Sequence, residues 1–143
     1  MRFQFPAAGF GPVDIEKALL RTAAGDHGAE AGLLLLMSCG DWLPQLSHAG
    51  LIAVDICLDG CCGDGPTAQI DWGGVDEALS RGRLNGRRSE VGVLHAAASL
   101  AGARPVILRE LAAGLDRRVV GPVQAAFAFA TYDAEVRRTI AGP

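Results

Sequence analysis

The stretch from Ser89 to Asp116 has the most regular hydrophobic spacing in the chain, and it constrains the fold more than any other part. Val91, Leu94 and Ala98 recur every three or four residues, which places them on one face of an α-helix. A broad apolar face of this kind is typical of a helix packed against a core. The spacing therefore predicts a buried helix in this region.

The residues at the borders of this helix predict where it begins and ends. Ser89 is expected to cap its first turn, and Gly102 is expected to follow its last residue. A second, shorter helix is expected after Pro105, ending at Gly114, and Asp116 is expected to cap a third. The stretch thus predicts three successive helices joined by tight turns.

Small side chains on the first of these helices predict an unusually close neighbour. Ala97 and Ala98 contribute little side-chain volume, so a second helix could approach the backbone there. We expect a larger residue at either position to unfold the protein.

The rest of the chain also favours helices. Helical patterns cover residues 13–24 and 26–39, and residues 119–130 predict a long helix that Gly121-Pro122 would kink or break. Residues 50–58 are ambiguous, since their apolar residues fit both a strand and a helix. We favour a helix there, because an isolated strand has no partner with which to pair.

Taken together, these patterns predict an all-α fold. The expected architecture is a compact single-domain bundle of about six or seven helices with at most one short strand. A chain of 143 residues is the size of one domain. Residues 1–12, which include Phe3, Phe5 and Phe10, are expected to form an irregular N-terminal arm before a single helical domain over residues 13–143. The arm either lies on the core or anchors a partner through its aromatic rings.

Composition narrows the range of partners. Half of the residues are hydrophobic and 20% are charged, below the usual charged share of about 25%, which favours a self-association surface and hence a homo-oligomer. The net charge of −3 gives no overall attraction to nucleic acid or to an anionic membrane. No apolar run is long enough for a signal peptide or a membrane span. A cytoplasmic location without membrane contact is therefore expected.

Three cysteines form the first candidate site. Cys57, Cys61 and Cys62 follow a C-x3-C-C spacing, with Cys39 further back. Thiolates bind zinc, but paired C-x2-C motifs are the stronger zinc signal. A zinc site is one interpretation, and a redox or intermolecular disulfide is another. We favour ordinary loop and core cysteines, and no cofactor is predicted.

Nucleic-acid binding is the second candidate chemistry. Residues 94–113 partly fit a helix-turn-helix, but Pro105, Val106 and Ile107 are poor residues for contacting bases. Phosphate contacts would come from arginines. The candidate arginines are Arg81, Arg83, Arg87, Arg88, Arg104 and Arg109. A solvated basic turn is the favoured alternative.

Catalytic signatures are missing from the sequence. It contains no G-x-S-x-G, H-E-x-x-H or G-x-x-x-x-G-K motif. His27, His48 and His95 are isolated from one another along the chain. No catalytic residue is assigned, and a non-enzymatic role is favoured.

Four short sequence motifs are considered together. They are Ile70-Asp71-Trp72, Ser89-Glu90-x-x-Val93-Leu94, Ala98-Ser99-Leu100-Ala101 and Gly114-Leu115-Asp116. Together they resemble phrases of small, poorly characterised helical proteins from high-GC bacteria, over roughly residues 30–130. The resemblance implies a helical fold and brings no activity, cofactor or catalytic residue with it.

The favoured function is therefore a self-associating protein–protein interaction domain. A DNA-associated accessory factor with a degenerate helix-turn-helix is the first alternative. A metal- or thiol-based protein that uses the Cys57–Cys62 loop is the second.

Overall fold

A computed structural model describes the backbone of residues 2–57 and 65–141, and the side chains of residues 3–57 and 65–132. These residues form seven α-helices and three strands, with 3-10 turns at Ala7–Gly9 and Trp72–Gly74. The strands are β1 (Arg2–Pro6), β2 (Ile52–Cys57) and β3 (Thr67–Ile70). The helices are α1 (Pro12–Ala23), α2 (His27–Ser38), α3 (Trp42–His48), α4 (Val75–Ser80), α5 (Arg88–Leu100), α6 (Leu108–Gly114) and α7 (Arg117–Ala141).

The all-α prediction is wrong, because the three strands form an antiparallel sheet in the order β1-β2-β3. Residues 50–58, for which a helix was favoured, supply β2. Residues 1–12, expected to be irregular, supply β1 and a 3-10 turn. The expectation failed because β2 is not isolated: its partners come from segments distant along the chain, which local spacing cannot reveal.

The chain divides into two compact units, each built from two separate stretches of sequence. The first unit comprises Met1–Ala24 and Asp41–Asn85 and holds the sheet with α1, α3 and α4. The second comprises Gly25–Gly40 and Gly86–Pro143 and holds α2, α5, α6 and α7. The first unit thus combines strands with helices, whereas the described elements of the second unit are helices.

In the first unit, α1 closes one edge of the sheet. The Thr22 hydroxyl accepts a hydrogen bond of 3.1 Å from the Ala68 N–H of β3. The Arg21 guanidinium donates to the Pro66 carbonyl at 2.8 Å, just before that strand. Val54 of β2 and Ala68 are both buried in the core. The outer edge of β3 is therefore covered by a helix rather than left open.

In the second unit, α2 packs against both α5 and α7. Two glycines of α2 approach the backbone of α5 more closely than any side chain would allow. A Cβ on Gly28 would lie 2.6 Å from the Leu100 carbonyl oxygen, and one on Gly32 would lie 2.7 Å from that of Ala97. The close neighbour expected at Ala97 is thus α2, and its glycines supply the space.

Helix ends follow the sequence in part. The Asp26 carboxylate accepts the Ala29 N–H at 3.0 Å, as expected for a cap, and Gly102 ends α5 with a φ of +78°. Ser89 does not cap α5; residue Arg87 does, and its N–H donates to the Glu90 carboxylate at 2.9 Å. A kink or a break was expected at Gly121-Pro122; α7 is continuous over its described backbone, so Pro122 does not break the helix.

The glycine contact predicts different effects for two Gly→Ala changes. Gly32→Ala places a Cβ against the Ala97 carbonyl, and we expect it to lower the free energy of unfolding by about 1–3 kcal/mol. Gly121→Ala in α7 meets no atom within 4 Å outside its chain neighbours and the backbone of its own helix. It should be close to neutral, because the gain in helix propensity of about 1 kcal/mol is opposed by the contact between the new Cβ and the following Pro122. Urea unfolding of both variants measures the difference, and equal effects would contradict the close packing.

Candidate functional site

The second unit has a concave groove between α5 and the segment that follows it. We call it the α5–α6 groove; its volume is about 830 Å³. One wall is a single stripe of α5 formed by Arg88, Val91, Gly92 and His95. Their spacing of three and four residues puts them on one helix face. This stripe is the most regular part of the groove.

The opposite wall is formed by an extended segment and by α6. The lining residues of this wall are Arg104, Pro105, Val106, Ile107, Glu110, Leu111 and Gly114. A Cβ on Gly92 would lie 3.1 Å from Leu115 Cδ2 and 3.7 Å from Leu111 Cδ1. The glycine therefore lets the α6 region pack closely on α5, which fixes the width of the groove.

An uncovered apolar run lies along this wall. Four consecutive apolar residues, 105–108, lead into α6, and Ile107 and Leu108 are 63% and 65% exposed. Exposed apolar runs of this length are typical of interaction surfaces in native proteins. Sequence reasoning missed this surface because it expected a helix to begin directly after Pro105. The unbroken apolar run itself was the available signal.

Charged side chains stand on both walls of the groove. Among the described residues that line it are Arg88, Arg104 and Glu110. The Arg88 side chain lies over α6, with its Nε 3.5 Å from the point where a Gly114 Cβ would stand. Arg109 is exposed on the same helix.

The described lining of the groove is mostly apolar. Among the described residues that line it, there is no serine, threonine, cysteine or lysine to act as a nucleophile.

The predicted nucleic-acid arginines are divided between the two units. Arg81 pairs with Glu77 at 3.0 Å. Arg81 and Arg83 belong to the first unit, and Arg87, Arg88, Arg104 and Arg109 to the second. The linker between α5 and α6 spans residues 101–107, longer than the three or four residues of a helix-turn-helix. DNA binding stays a prediction that this linker does not favour.

The predicted metal site lies mostly outside the described residues. Cys57 is half-buried at the end of β2, whereas Cys61 and Cys62 belong to the part of the chain that the structure does not describe. Within residues 3–57 and 65–132, no three His, Cys, Asp or Glu side chains form a group that could hold a metal. Zinc binding at Cys57, Cys61 and Cys62 therefore stays a prediction.

The fourth cysteine is held in an unreactive environment. Cys39 is buried, and burial raises the pKa of its thiol. A raised pKa keeps the protonated form at neutral pH, and the thiol is a poorer nucleophile and metal ligand than the thiolate. Cys39 therefore acts as a core residue.

A polar contact joins the starts of α5 and α7. The Ser89 hydroxyl bonds to the Asp116 carboxylate instead of capping its own helix. Desolvation raises the pKa of Asp116, but hydrogen bonds from Ser89 and from the Arg118 and Val119 N–H groups, together with the Arg118 charge, lower it overall. Asp116 thus caps α7, as expected, in its ionised form.

The lowered pKa predicts a pH-dependent difference between the wild type and Asp116→Asn. Asparagine retains a capping oxygen but has no charge. The folded-state pKa lies below the ordinary value of about 3.9, so the ionised carboxylate adds stability above about pH 4. The extra stability of the wild type should be lost as the pH falls through the folded-state pKa of Asp116. Melting temperatures of both proteins from neutral to strongly acidic pH test this, and a pH-independent difference would contradict it.

A second candidate surface, in the first unit, is the outer edge of β1. Phe3 and Phe5 are 39% and 43% exposed, and their ring centroids are 6.5 Å apart. The Ala68 N–H of β3 donates to Thr22, so it points away from Val54, its partner in β2. In an antiparallel sheet, a residue whose backbone groups do not bond to one neighbouring strand bonds to the strand on its other side. The backbone groups of Val54 therefore point toward Phe5, its partner in β1. The Gln4 backbone groups then point away from the sheet.

The three histidines have separate surroundings. His27 lies beside the rings of Phe129 and Tyr132, with centroid distances of 5.5 and 5.7 Å. His48 lines a pocket of about 280 Å³ in the first unit, together with Glu16. His95 lines the α5–α6 groove. Each of these histidines has its own neighbours, so they do not line a common pocket.

Comparison of the chain with protein-family models, with characterised proteins and with solved structures finds no match. Over the described part of the chain, no helix combines the length and apolar character that a membrane crossing requires. The evidence on function therefore comes from the α5–α6 groove and from the outer edge of β1.

Proposed function

We propose that the protein is a non-enzymatic interaction domain that self-associates in the cytoplasm through β1. The single observation that supports this most directly is an edge strand with two neighbouring exposed phenylalanines, Phe3 and Phe5. The opposite edge of the sheet is covered by α1 through the Thr22–Ala68 hydrogen bond. Open edges are templates for pairing with another strand. Charge and proline often protect such edges, and β1 itself begins at Arg2 and ends at Pro6, so pairing would use the backbone groups of Gln4 between them.

The side chains of β1 favour a second copy as the occupant of this edge. Residues 3–6 are Phe, Gln, Phe and Pro, so no like charges would face each other when two such strands meet. An antiparallel pair centred on Gln4 lets the outward backbone groups of each Gln4 bond to those of the other copy. It also puts Phe3 of one copy opposite Phe5 of the second, and aromatic cross-strand pairs stabilise sheets.

This pairing has the geometry of a closed dimer. The same strand is used by both copies, which is the self-complementary interface of a two-fold symmetric assembly. Two three-stranded sheets would then form one six-stranded sheet, in which β1 is no longer an edge. The phenylalanine rings, which the sequence analysis offered as a partner anchor, would form the apolar cluster of the interface.

Sedimentation velocity over a range of protein concentrations tests this proposal. We expect a reversible dimer for the wild type. Gln4→Pro removes the outward N–H, and the double change Phe3→Ser/Phe5→Ser removes the aromatic cluster. Each should weaken dimerisation by about tenfold or more, through lost backbone hydrogen bonds in Gln4→Pro and through lost aromatic pairs in the double change.

The matched control is Val13→Ser, which removes an exposed apolar side chain from α1 in the same unit. We expect it to dimerise like the wild type. A protein that remains monomeric up to its solubility limit would overturn the proposal. So would a dimer that neither β1 variant weakens while both variants keep the wild-type far-UV circular dichroism.

A further inference from the structure

We infer that Asn85 is a site of spontaneous covalent modification, at which the backbone nitrogen of Gly86 attacks the Asn85 side chain and converts it to isoaspartate or aspartate. Asn85 is the only asparagine of the chain, and a glycine follows it. The two residues lie between α4 and α5 and do not belong to β1. The inference therefore goes beyond self-association and does not depend on it.

Both reacting residues are accessible. Asn85 and Gly86 are exposed and lie outside the helices and strands. Within the part of the chain that the structure describes, the Gly86 N–H donates to no acceptor, so no hydrogen bond has to break before this nitrogen can react. Glycine has no Cβ beside the nitrogen, and its backbone is the least restricted of all residues. The nitrogen of Gly86 is therefore free to approach the side chain that precedes it.

The reaction needs only the chain, water and hydroxide. Hydroxide removes the Gly86 amide proton, and the nitrogen forms a bond to Cγ of Asn85. The Cγ–Nδ2 bond breaks, Nδ2 takes up a proton and leaves as ammonia, and a succinimide ring remains. Water then opens the ring. Cleavage between the nitrogen and Cγ gives aspartate, whereas cleavage between the nitrogen and the main-chain carbonyl carbon gives isoaspartate, which changes the covalent path of the backbone.

Gln45 of α3 holds the main chain of Asn85 by two hydrogen bonds. Its Oε1 accepts the Asn85 N–H at 2.8 Å, and its Nε2 donates to the Asn85 carbonyl at 2.9 Å. The Asp41 carboxylate also accepts from Nε2 at 3.0 Å, which fixes the orientation of the Gln45 amide. The succinimide ring includes the main-chain carbonyl carbon of Asn85, so ring closure must turn the carbonyl that Gln45 binds. Gln45 is therefore a positioning residue that slows the reaction.

The modification removes a hydrogen bond and lengthens the backbone. Nδ2 of Asn85 donates to the Gly82 carbonyl at 2.9 Å, whereas an ionised carboxylate can only accept. In isoaspartate the backbone also runs through Cβ and Cγ. This change falls where the chain passes from the first unit, which ends at Asn85, to the second, which begins at Gly86. Since the cap residue of α5, Arg87, follows directly, we expect the modified protein to be less stable.

Mass spectrometry of the full chain after incubation at neutral and alkaline pH tests the inference. Trypsin releases residues 84–87 as one peptide. Its mass rises when NH₂ is replaced by OH, and fragmentation distinguishes aspartate from isoaspartate. The folded protein should form both products, at a rate proportional to hydroxide concentration, because the attacking nitrogen must first lose its proton. A synthetic peptide of residues 81–89, which lacks Gln45, should react faster than the protein.

Variants test the role of Gln45. Gln45→Ala removes both hydrogen bonds to the Asn85 main chain and should speed the reaction by about fivefold or more. Gln69→Ala changes an exposed glutamine of β3 in the same unit, and it should react at the wild-type rate. Asn85→Gln keeps the amide on a longer side chain that does not close this ring, so residues 84–87 should keep their mass. Far-UV circular dichroism ensures that only folded variants are compared.

The outcomes separate each step. If residues 84–87 of the folded protein keep their mass while the synthetic peptide reacts completely, the inference is wrong. Aspartate formed without isoaspartate also overturns it, because direct hydrolysis would then explain the product. Equal rates for Gln45→Ala and the wild type would remove the role of Gln45.

Urea unfolding of the purified isoaspartate form tests the consequence for stability. The unfolding equilibrium constant should rise by about fivefold or more over that of the unmodified protein. Equal constants would contradict the structural consequence of the modification. Dimerisation through β1 is measured independently, so either proposal can fail without the other.

Discussion

The close contact between α2 and α5 is the constraint on which the second unit depends. Gly28 and Gly32 leave no room for a side chain against the carbonyl oxygens of Leu100 and Ala97. Protein interiors are packed to crystal-like density, so a contact between backbones fixes two helices more firmly than flexible side chains can. The Ser89–Asp116 bond then links the start of α5 to the start of α7.

The same contact determines which face of α5 is available for binding. Ala97 lies nine positions after Arg88, and at 100° per residue this places the two about 180° apart around the helix. The glycine contact therefore occupies one side of α5, and the stripe that lines the groove lies on the other. Gly92 lets the α6 region approach that second side. Small residues on both sides of one helix thus produce a rigid scaffold and a defined groove.

The sequence predicted those features that depend on residues close together along the chain. The helical spacing around Leu94, the cap at Asp116 and the turn at Gly102 all follow from residues close together in sequence. The sheet could not be predicted in this way, because β2 is stabilised by residues 2–6 and 67–70, whose pairing depends on the whole chain. The exposure of Ile107 was missed for a related reason, since apolar character predicts burial unless a partner is known. The position of the groove therefore required the structure, although its arginines were candidates from the start.

The measurement that tests this account most directly is native-state hydrogen exchange of individual backbone amides. If backbone packing of α2 on α5 holds the second unit together, the interior amides of both helices should exchange only through global unfolding, with the same free energy for Gly32 and Ala97. The exposed segment 103–107 should exchange much faster. Exchange of the α2 amides through local opening, at a free energy well below that of global unfolding, would contradict the account.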